Sequence, residues 1–276
     1  MKKRKTLIWI GDIVGCVTAF FIFVVPFLFM LVNALKDRKG ANKLSISLPE
    51  TYMWDNFWEV IQTRNYQIIT AFKNSALITI AGLFVLVFLG SMAGYVIQRR
   101  RDKVVRVANF LIMLGLMLPP AILPTIKLLQ TMHLYKSFFS IVIMEAVMEL
   151  PFTIMLYEGY LSSIPRELEE AACIDGCNRL GMFGKIIFPL LKPITATVII
   201  LNAVTIFNDF STPLYFYPGS ENATVQLTLY NFIGQFSSSY NLLFADVVLI
   251  VLPMLILFII FNRRIVSGIV EGSVKG

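Results

Sequence analysis

The chain has 276 residues, of which 57% are hydrophobic and only 15% are charged, and its formal net charge is +7. This composition excludes an ordinary soluble domain, in which about a quarter of the residues are charged. The basic excess does not indicate a nucleic-acid partner either, because the Lys and Arg residues gather in short clusters between long apolar runs.

Six apolar runs are long enough to cross a bilayer, and they cover residues 7–35, 74–97, 104–132, 138–160, 190–212 and 243–262. About 20 apolar residues span the roughly 30 Å of hydrocarbon as a helix. Only helices and closed barrels satisfy their backbone hydrogen bonds in lipid, and these runs are too long and continuous for barrel strands. The sequence therefore predicts an all-α membrane protein with six transmembrane helices in a single domain over residues 1–276. The first run is too long for a signal peptide, so we expect it to be retained.

The basic clusters predict the orientation of these helices. They lie within residues 2–5, 99–106, 166–192 and 263–275, all on one side of a six-helix arrangement. The positive-inside rule then places both termini and the loop 161–189 in the cytoplasm. One outer segment counts against this orientation, since residues 36–43 carry Lys36, Arg38, Lys39 and Lys43.

Two longer segments are predicted on the outer side. In the first, Trp54, Phe57, Trp58 and Ile61 recur at helical spacing, which predicts a short amphipathic helix at the membrane interface. The second, residues 213–242, contains no Lys or Arg and carries the turn-forming pair Pro218 and Gly219. We expect this second segment to contact a partner outside the membrane.

Motifs of catalysis are missing from the sequence. It contains no G-x-x-x-x-G-K-[ST] nucleotide loop, no H-E-x-x-H and no G-x-S-x-G, so the chain is not predicted to be an enzyme. Its three cysteines, Cys16, Cys173 and Cys177, are accompanied by a single histidine, His133. We therefore expect neither a metal site nor a disulfide. Six spans are also few for a self-sufficient secondary transporter, so the chain resembles half of an assembly.

The loop 161–189 is predicted to hold two short helices. Pro165 and the glutamates after it suit a helix N-terminus, and Gly176 suits the left-handed conformation that ends a helix. One narrow apolar face is predicted on the first helix (Ile164, Leu168, Ala171 and Ala172) and another on the second (Leu180, Phe183 and Ile187). From spacing alone, the first face either approaches a partner protein or packs back on its own bundle.

The same loop resembles the EAA motif of ABC-importer permeases, E-A-A-x-x-x-G-x(9)-I-x-L-P. The matching residues are Glu170, Ala171, Ala172, Gly176, Ile186 and Pro189, with Phe188 in place of the usual leucine. Further segments resemble the carbohydrate-uptake branch of that family, and in it the smaller membrane subunit of maltose-type transporters: NFW (56–58), FKNSALIT (72–79), AGYVIQRR (93–100), FNDFSTPLYF (207–216) and GSVKG (272–276). The resemblance covers essentially the whole chain.

This resemblance implies a type I ABC importer permease bundle in a bacterial cytoplasmic membrane, whose loop is a cytoplasmic coupling helix docked on an ATPase subunit. The residues implied in ATPase coupling are Glu170, Ala171, Ala172, Asp175, Gly176, Ile186 and Pro189. The implied partners are a second permease, two ATPase subunits and an extracytoplasmic sugar-binding protein. No cofactor is implied for this chain, because ATP and Mg²⁺ are bound by the ATPases. The tail 271–276 is implied to reach the ATPase dimer.

Polar residues within the apolar runs are candidates for the substrate path, because ionisable groups are costly in lipid. They are Glu145 and Glu149 in the fourth run, and Asn202, Thr205, Asn208, Asp209, Thr212 and Tyr215 in or after the fifth. Asn202, Thr205, Asp209 and Thr212 are spaced for one helical stripe. The alternative is that such groups join helices to one another.

The resulting prediction is a sugar-importing permease subunit, with oligosaccharides the expected substrates. Two alternatives stay open at this point: import of another polyol such as glycerol phosphate, and a membrane subunit that docks a partner without transporting anything.

Overall fold

The structure, a computed structural model, describes the backbone of residues 2–234 and 238–273, and the side chains of residue 9 and of residues 11–260 within that range. In these residues every regular element is a helix, and the only strand-like pairing is a single antiparallel bridge between Ile233 and Ser238. The predicted all-α class is confirmed. The side chains of residues 271–273 and all of residues 274–276 lie outside the described part, and with them the predicted contact of the tail.

The chain divides into two compact units, residues 1–69 with 227–253 and residues 70–226 with 254–276. The first unit begins with α1 (Lys2–Ala19), a π-helical turn (Phe20–Val24) and α2 (Val25–Ala34). The π turn ends two residues before Pro26, which has no N–H to donate to the preceding turn. Val25 N–H donates to Phe20 O, five residues earlier.

A polar network folds the segment after α2 in the first unit. Asp37 caps α3 (Arg38–Asn42) by accepting from Gly40 N at 3.0 Å. Asn56 Nδ2 donates to the carbonyls of Ala34 and Lys36 at 2.7 and 2.9 Å. The carbonyl groups at the end of α2 have no partners within the helix, and the Asn56 side chain donates the hydrogen bonds that they lack.

The predicted amphipathic helix is the start of α4 (Asp55–Arg99), which has a break at residues 63–66 where Arg64, Asn65 and Tyr66 adopt left-handed conformations. Within its predicted stripe, Trp54 and Trp58 are exposed and Phe57 and Ile61 are half-buried, while the buried residues of this segment are Asn56 and Val60. This arrangement suits an interfacial helix, whose aromatic side chains lie at the headgroup level.

The second unit contains the predicted third span in two pieces, α5 (Lys103–Leu114) and α6 (Ile122–Thr131). The prediction of one continuous helix over 104–132 is therefore wrong in this part. The break contains Pro119 and Pro120, which lack N–H donors and restrict the residue before them. An apolar run indicates a segment that lies in lipid, but it does not indicate that the segment is one unbroken helix.

The remaining helices follow in chain order. They are α7 (Phe138–Leu161), α8 (Glu167–Ile174), α9 (Arg179–Met182) with a π-helical turn (Phe183–Ile187), α10 (Phe188–Leu190), α11 (Lys192–Asn208), α12 (Ser211–Phe216), α13 (Val225–Thr228) with a 3₁₀ turn (Leu229–Asn231), and α14 (Tyr240–Ser273). The second π turn again precedes a proline, Pro189.

Within the described residues, four helices are long and apolar enough to span a membrane: Gly11–Ala34, Asp55–Arg99, Phe138–Leu161 and Tyr240–Ile260. A fifth span is formed if Arg179–Leu190 and Lys192–Asn208, bent by 74° against each other, count as one. The six-helix count and the single domain over 1–276 stay predictions.

Two glycines bring α4 and α7 into close contact in the second unit. A Cβ atom at Gly90 would lie 2.5 Å from Thr153 Cγ2, and one at Gly94 would lie 2.8 Å from Tyr157 Cβ and 3.2 Å from the backbone nitrogen of Glu158. Small residues four apart allow helix backbones to approach in this way. The C-terminal end of α4, which is predicted to lie on the cytoplasmic side, is thereby held beside the loop that follows α7.

Candidate functional site

The predicted coupling loop forms two helices separated by a tight turn. At the end of α8, Gly176 N donates to Cys173 O at 3.0 Å and Cys177 N donates to Ala172 O at 2.9 Å. Gly176 has a φ of +79°, so the prediction of a left-handed glycine is confirmed. This pair of bonds satisfies the last carbonyls of α8 and reverses the chain direction. Asn178 then caps α9 by accepting from Gly181 N at 2.7 Å.

The inner side of this loop is packed on its own protein. Ile164, Ala172, Met182 and Ile187 are buried in a cluster with Tyr157 and Val198. The two predicted faces are therefore split, because only Ile164 and Ala172 of the first, and Ile187 of the second, are buried. Phe183 is partly buried at the edge of the same cluster.

The outer side of the loop presents apolar and acidic side chains to the surroundings. Ile174 is 86% exposed and Leu180 is 78% exposed, and Leu168 and Ala171 are also exposed. Of the other predicted coupling residues, Glu170, Asp175, Gly176 and Pro189 are exposed, Ile186 is half-buried and Ala172 is buried. Large apolar side chains exposed on a charged loop are typical of a protein interface.

An ion pair attaches α8 to the end of α4. Arg99 Nε donates to Glu169 Oε1 at 2.6 Å, Arg99 Nη2 donates to Ile164 O at 3.0 Å, and Tyr95 OH donates to Glu169 Oε2 at 2.9 Å. From the sequence, Arg99 is predicted only as a basic residue of the membrane boundary, and Glu169 only as one of the acidic residues at a helix N-terminus. The segments AGYVIQRR and IPRELEEAACIDG contain both residues, but nothing in their spacing links positions 70 residues apart.

The candidate path residues have diverse environments. Asn202 is 1% exposed and its Nδ2 donates to Thr153 Oγ1 at 3.1 Å, which joins α11 to α7. Thr205 is exposed and donates to Leu201 O at 3.1 Å. Asn208 Oδ1 accepts from Gln226 Nε2 at 3.0 Å.

The predicted polar stripe is interrupted at Asp209. Helix α11 ends at Asn208, and the Asp209 carboxylate accepts from Ser211 N at 2.8 Å and from Thr212 N at 3.3 Å. Asp209 therefore begins α12 rather than continuing α11, so its spacing from Asn202 does not describe one helix face. Thr212 is buried, whereas Tyr215 is exposed.

Three carboxyl groups come together near this break. Glu145 is 3% exposed in α7, and the carboxyl groups of Asp209 and Glu149 lie near it. Within the described part of the chain, Glu145 Oε1 has no hydrogen-bond partner, and no group of three acidic, His or Cys side chains is arranged to hold a metal ion. The structure thus brings Glu145, Glu149 and Asp209 together, whereas Thr205 and Tyr215 are exposed.

The outer segment after α12 is pinned by residues for which the sequence analysis predicted no role. Asn74 Nδ2 donates to the carbonyls of Glu221 and Ala223 at 2.9 and 3.0 Å, and Ser75 Oγ accepts from Val225 N at 3.0 Å. The predicted turn is present, because Gly219 has a φ of +142°. The exposed tip of the segment carries Ser220 and Glu221.

One cation of the basic outer segment 36–43 is buried. Lys36 is 3% exposed, and its Nζ donates to Asn33 Oδ1 at 3.1 Å, to Ser45 O at 2.6 Å and to Ser45 Oγ at 3.2 Å. Burial lowers the pKa of Lys36, because the ammonium group loses its contact with water. Lys36 is therefore a structural residue of this loop.

These features define a polytopic helical membrane protein with an exposed loop that is predicted to lie in the cytoplasm. Comparison with known proteins gives its family. Residues 86–271 match the family described as "Binding-protein-dependent transport system inner membrane component", and the chain belongs to it. It is a membrane-spanning permease subunit of an ABC importer, which works with a binding protein and the other components of such a transporter. It is not the ATPase.

Two similar proteins are sugar permeases by name. The chain is 31% identical to the melibiose/raffinose/stachyose import permease protein MelC of Bacillus subtilis, over 100% of this chain and 98% of the relative. It is 29% identical to the multiple sugar-binding transport system permease protein MsmG of Streptococcus mutans, over the full length of both. It also superposes on a chain of a bacterial ABC transporter involved in alginate import with a TM-score of 0.80, at 19% identity and covering 95% of this chain and 97% of that one, which shows the fold.

Proposed function

We propose that this chain is one of two permease subunits of an importer that carries oligosaccharides across the cytoplasmic membrane by alternating access. Two ATPase subunits hydrolyse ATP with bound Mg²⁺, and an extracytoplasmic protein delivers the sugar. The observation that carries the substrate class is the full-length similarity to relatives named for melibiose, raffinose and stachyose and for multiple sugars. A further relative at 31% identity is named for arabinooligosaccharides.

The docking surface in this proposal is the outer side of α8 and the turn after it. Glu170 is exposed there beside Ala171, and Ile174 extends into the surroundings. A partner ATPase that covers Ile174 and Leu180 removes exposed apolar area from water, which is the main driving force of association. Glu170 supplies a charge for a hydrogen-bonded contact that fixes the register.

The orientation in this proposal places both termini and the loop 161–189 in the cytoplasm. Support comes from the basic clusters of the sequence, since the positive-inside rule assigns them to that side. The outer segment around Gly219 then lies on the opposite side, where it contacts the binding protein. It carries no Lys or Arg between residues 213 and 242, so its contact surface is neutral to acidic.

The test of the substrate class uses the complete transporter, purified with the partner permease and ATPases that accompany this chain and reconstituted with its binding protein. We expect ATP-dependent uptake of at least one neutral di- to tetrasaccharide from a panel that includes glycerol phosphate. Uptake of glycerol phosphate alone would contradict the sugar class. An ATPase that binds this chain without driving uptake of any compound would favour a docking subunit.

The test of the docking surface is Glu170→Lys, with Glu167→Lys as the matched control on the same helix. Both glutamates are exposed, so neither substitution is expected to disturb the fold. We expect Glu170→Lys to lower binding-protein-stimulated ATP hydrolysis by about tenfold or more, because it places a like charge in a paired contact. The control should change it by less than about threefold, as expected for a solvated charge. Equal effects of the two substitutions would refute the assignment of Glu170.

A further inference from the structure

The contacts of Tyr95, Arg99 and Glu169 form a tether between α4 and α8. Both carboxylate oxygens of Glu169 are used, one by Arg99 at 2.6 Å and the other by Tyr95 at 2.9 Å. The same guanidinium reaches Ile164 O at 3.0 Å, so one side chain contacts the loop on both sides of Pro165. Arg99 therefore fixes where α8 begins as well as its first turn.

The tether is shielded, unlike the ion pair that follows it in the chain. The side chains of Arg99 and Glu169 are 11% and 15% exposed, whereas those of the Arg100–Asp102 pair are 63% and 40% exposed. Exposed pairs contribute little to a fixed geometry, while removal of one partner of a shielded pair leaves an uncompensated charge. Two neighbouring arginines thus provide a strong and a weak version of the same interaction.

The tether joins α8 to a rigid part of the bundle. Gly94 lies against the backbone of α7 at Glu158, and Gly90 lies against Thr153, so the last turns of α4 cannot shift without displacing α7. Arg99 follows Gly94 by little more than one helical turn, at the point where α4 ends. A force on α8 is consequently passed to two spans at once.

Adjacent glutamates of α8 have separate environments. Glu169 faces inward and binds Arg99 and Tyr95, whereas Glu170 is exposed. We propose that Arg99 is a positioning residue of the coupling step: together with Tyr95 and Glu169 it holds α8 rigidly on α4, so that displacement of the exposed side of α8 moves the membrane spans. This inference rests on the proposed function. It adds the contacts that connect α8 to the membrane spans, which the docking surface alone does not supply.

A tether of this kind has consequences that a packing contact does not. If Arg99 only stabilised the loop, its removal would reduce the amount of assembled transporter and leave each assembled copy as efficient as before. If it transmits movement, assembled copies continue to hydrolyse ATP while transporting less, because α8 moves without carrying α4. The decisive quantity is sugar imported per ATP hydrolysed.

The experiment measures this ratio in proteoliposomes that contain the complete transporter, at matched amounts of assembled complex. Arg99→Ala is expected to lower the ratio by about fivefold or more, a typical size for coupling between sites. Arg99→Lys should restore part of it, because lysine keeps the charge but cannot bond to Glu169 and to Ile164 O with one planar group. Arg100→Ala is the matched control and should leave the ratio unchanged.

The outcomes separate this inference from the proposed function. Wild-type transporter without ATP-dependent sugar uptake would refute the proposed function itself. Wild-type uptake together with an unchanged ratio in Arg99→Ala would overturn the positioning role alone. Should Arg99→Ala fail to assemble, Glu169→Gln is judged by the same ratio, since it removes the charge but keeps the size of the side chain. An unchanged ratio in assembled Glu169→Gln would overturn the inference equally.

Discussion

Asn202 shows how a polar residue in a membrane helix can serve the bundle. Its Nδ2 donates both to Thr153 Oγ1 and, within its own helix, to Val198 O at 2.9 Å, and the side chain is almost fully buried. Hydrogen bonds between membrane helices contribute on average about 0.6 kcal/mol and at most roughly 1.7 kcal/mol. Asn202 therefore joins α11 to α7, whereas the exposed Thr205 is free to face a pathway.

We expect Asn202→Ala to lower the free energy of unfolding of the transporter by about 0.5–1.5 kcal/mol without changing the apparent affinity for sugar. The physical reason is that the substitution breaks a helix-to-helix bond and removes no group that substrate reaches. Thermal unfolding of the purified complex and the sugar concentration at half-maximal uptake measure the two quantities. Thr205→Ala is the control and should alter stability less. A large loss of sugar affinity in Asn202→Ala at unchanged stability would show that Asn202 lies on the substrate path.

The candidate site could be predicted from the sequence only where a local pattern determines it. The glycine at 176 was predictable because a helix that must reverse direction requires a left-handed residue there. The roles of Glu169 and Arg99 were not, because their contact depends on the fold that brings α4 beside α8. Spacing also could not show that Asp209 ends one helix and caps the next, since both arrangements place it near Thr212.

At the scale of elements, the contact between α4 and α7 depends on two glycines in the sequence GSMAG, residues 90–94. Gly94 is the more demanding of the two, because a methyl group there meets backbone atoms, Glu158 N at 3.2 Å and Ile154 O at 3.3 Å, as well as Tyr157 Cβ. Backbone cannot rotate away as a side chain can, so the helices must separate to admit it.

Gly94→Ala is accordingly expected to destabilise the protein by about 1–3 kcal/mol, the usual cost of overpacking. Gly159→Ala provides a control on the facing helix, since a Cβ atom there has no other atom within 4 Å. That substitution should be neutral or stabilising by up to about 1 kcal/mol, because alanine favours helix over glycine. The measurement is thermal unfolding of the complex in detergent. Similar effects of the two substitutions would show that close contact at Gly94 does not hold α4 against α7.

The apolar runs predicted the helices well where no two consecutive prolines interrupt them. The run 138–160 became α7, Phe138–Leu161, and Pro151 inside it did not end the helix. The run 104–132 failed as one helix because two consecutive prolines, Pro119 and Pro120, remove two donors at adjacent positions. Similar composition thus gave one continuous and one broken helix, and the difference lies in how many backbone bonds the prolines remove.

At the scale of the whole molecule, the orientation in the membrane rests on where the cations lie. The basic outer segment weakened that argument in the sequence, but Lys36 is buried against Asn33 and Ser45, so its position there has a structural purpose. Arg38, Lys39 and Lys43 remain exposed. The positive-inside rule weighs all short loops together, and the clusters on the other side are larger.

Two positions flanking α11 test this orientation directly. Cys173 is exposed on α8, before α11, and Ser220 is exposed on the segment after it. One variant keeps only Cys173, with Cys16 and Cys177 replaced by serine. The other carries Ser220→Cys in a background in which all three native cysteines are serine. Each is expressed in cells and treated with a maleimide that cannot cross the membrane.

We expect the cysteine at position 220 to be labelled from outside in intact cells, and Cys173 to be labelled only after the membrane is opened. In the proposed orientation, α11 crosses the bilayer between the two positions, and the Lys and Arg residues of the loop 161–189 keep that loop in the cytoplasm. The opposite labelling pattern would invert the orientation and place the termini outside. Labelling of both positions from the same side would mean that α11 and its bent partner Arg179–Leu190 enter the membrane without crossing it, which would reduce the number of spans. If both were labelled from outside, the docking surface would also lie on the side that lacks ATP.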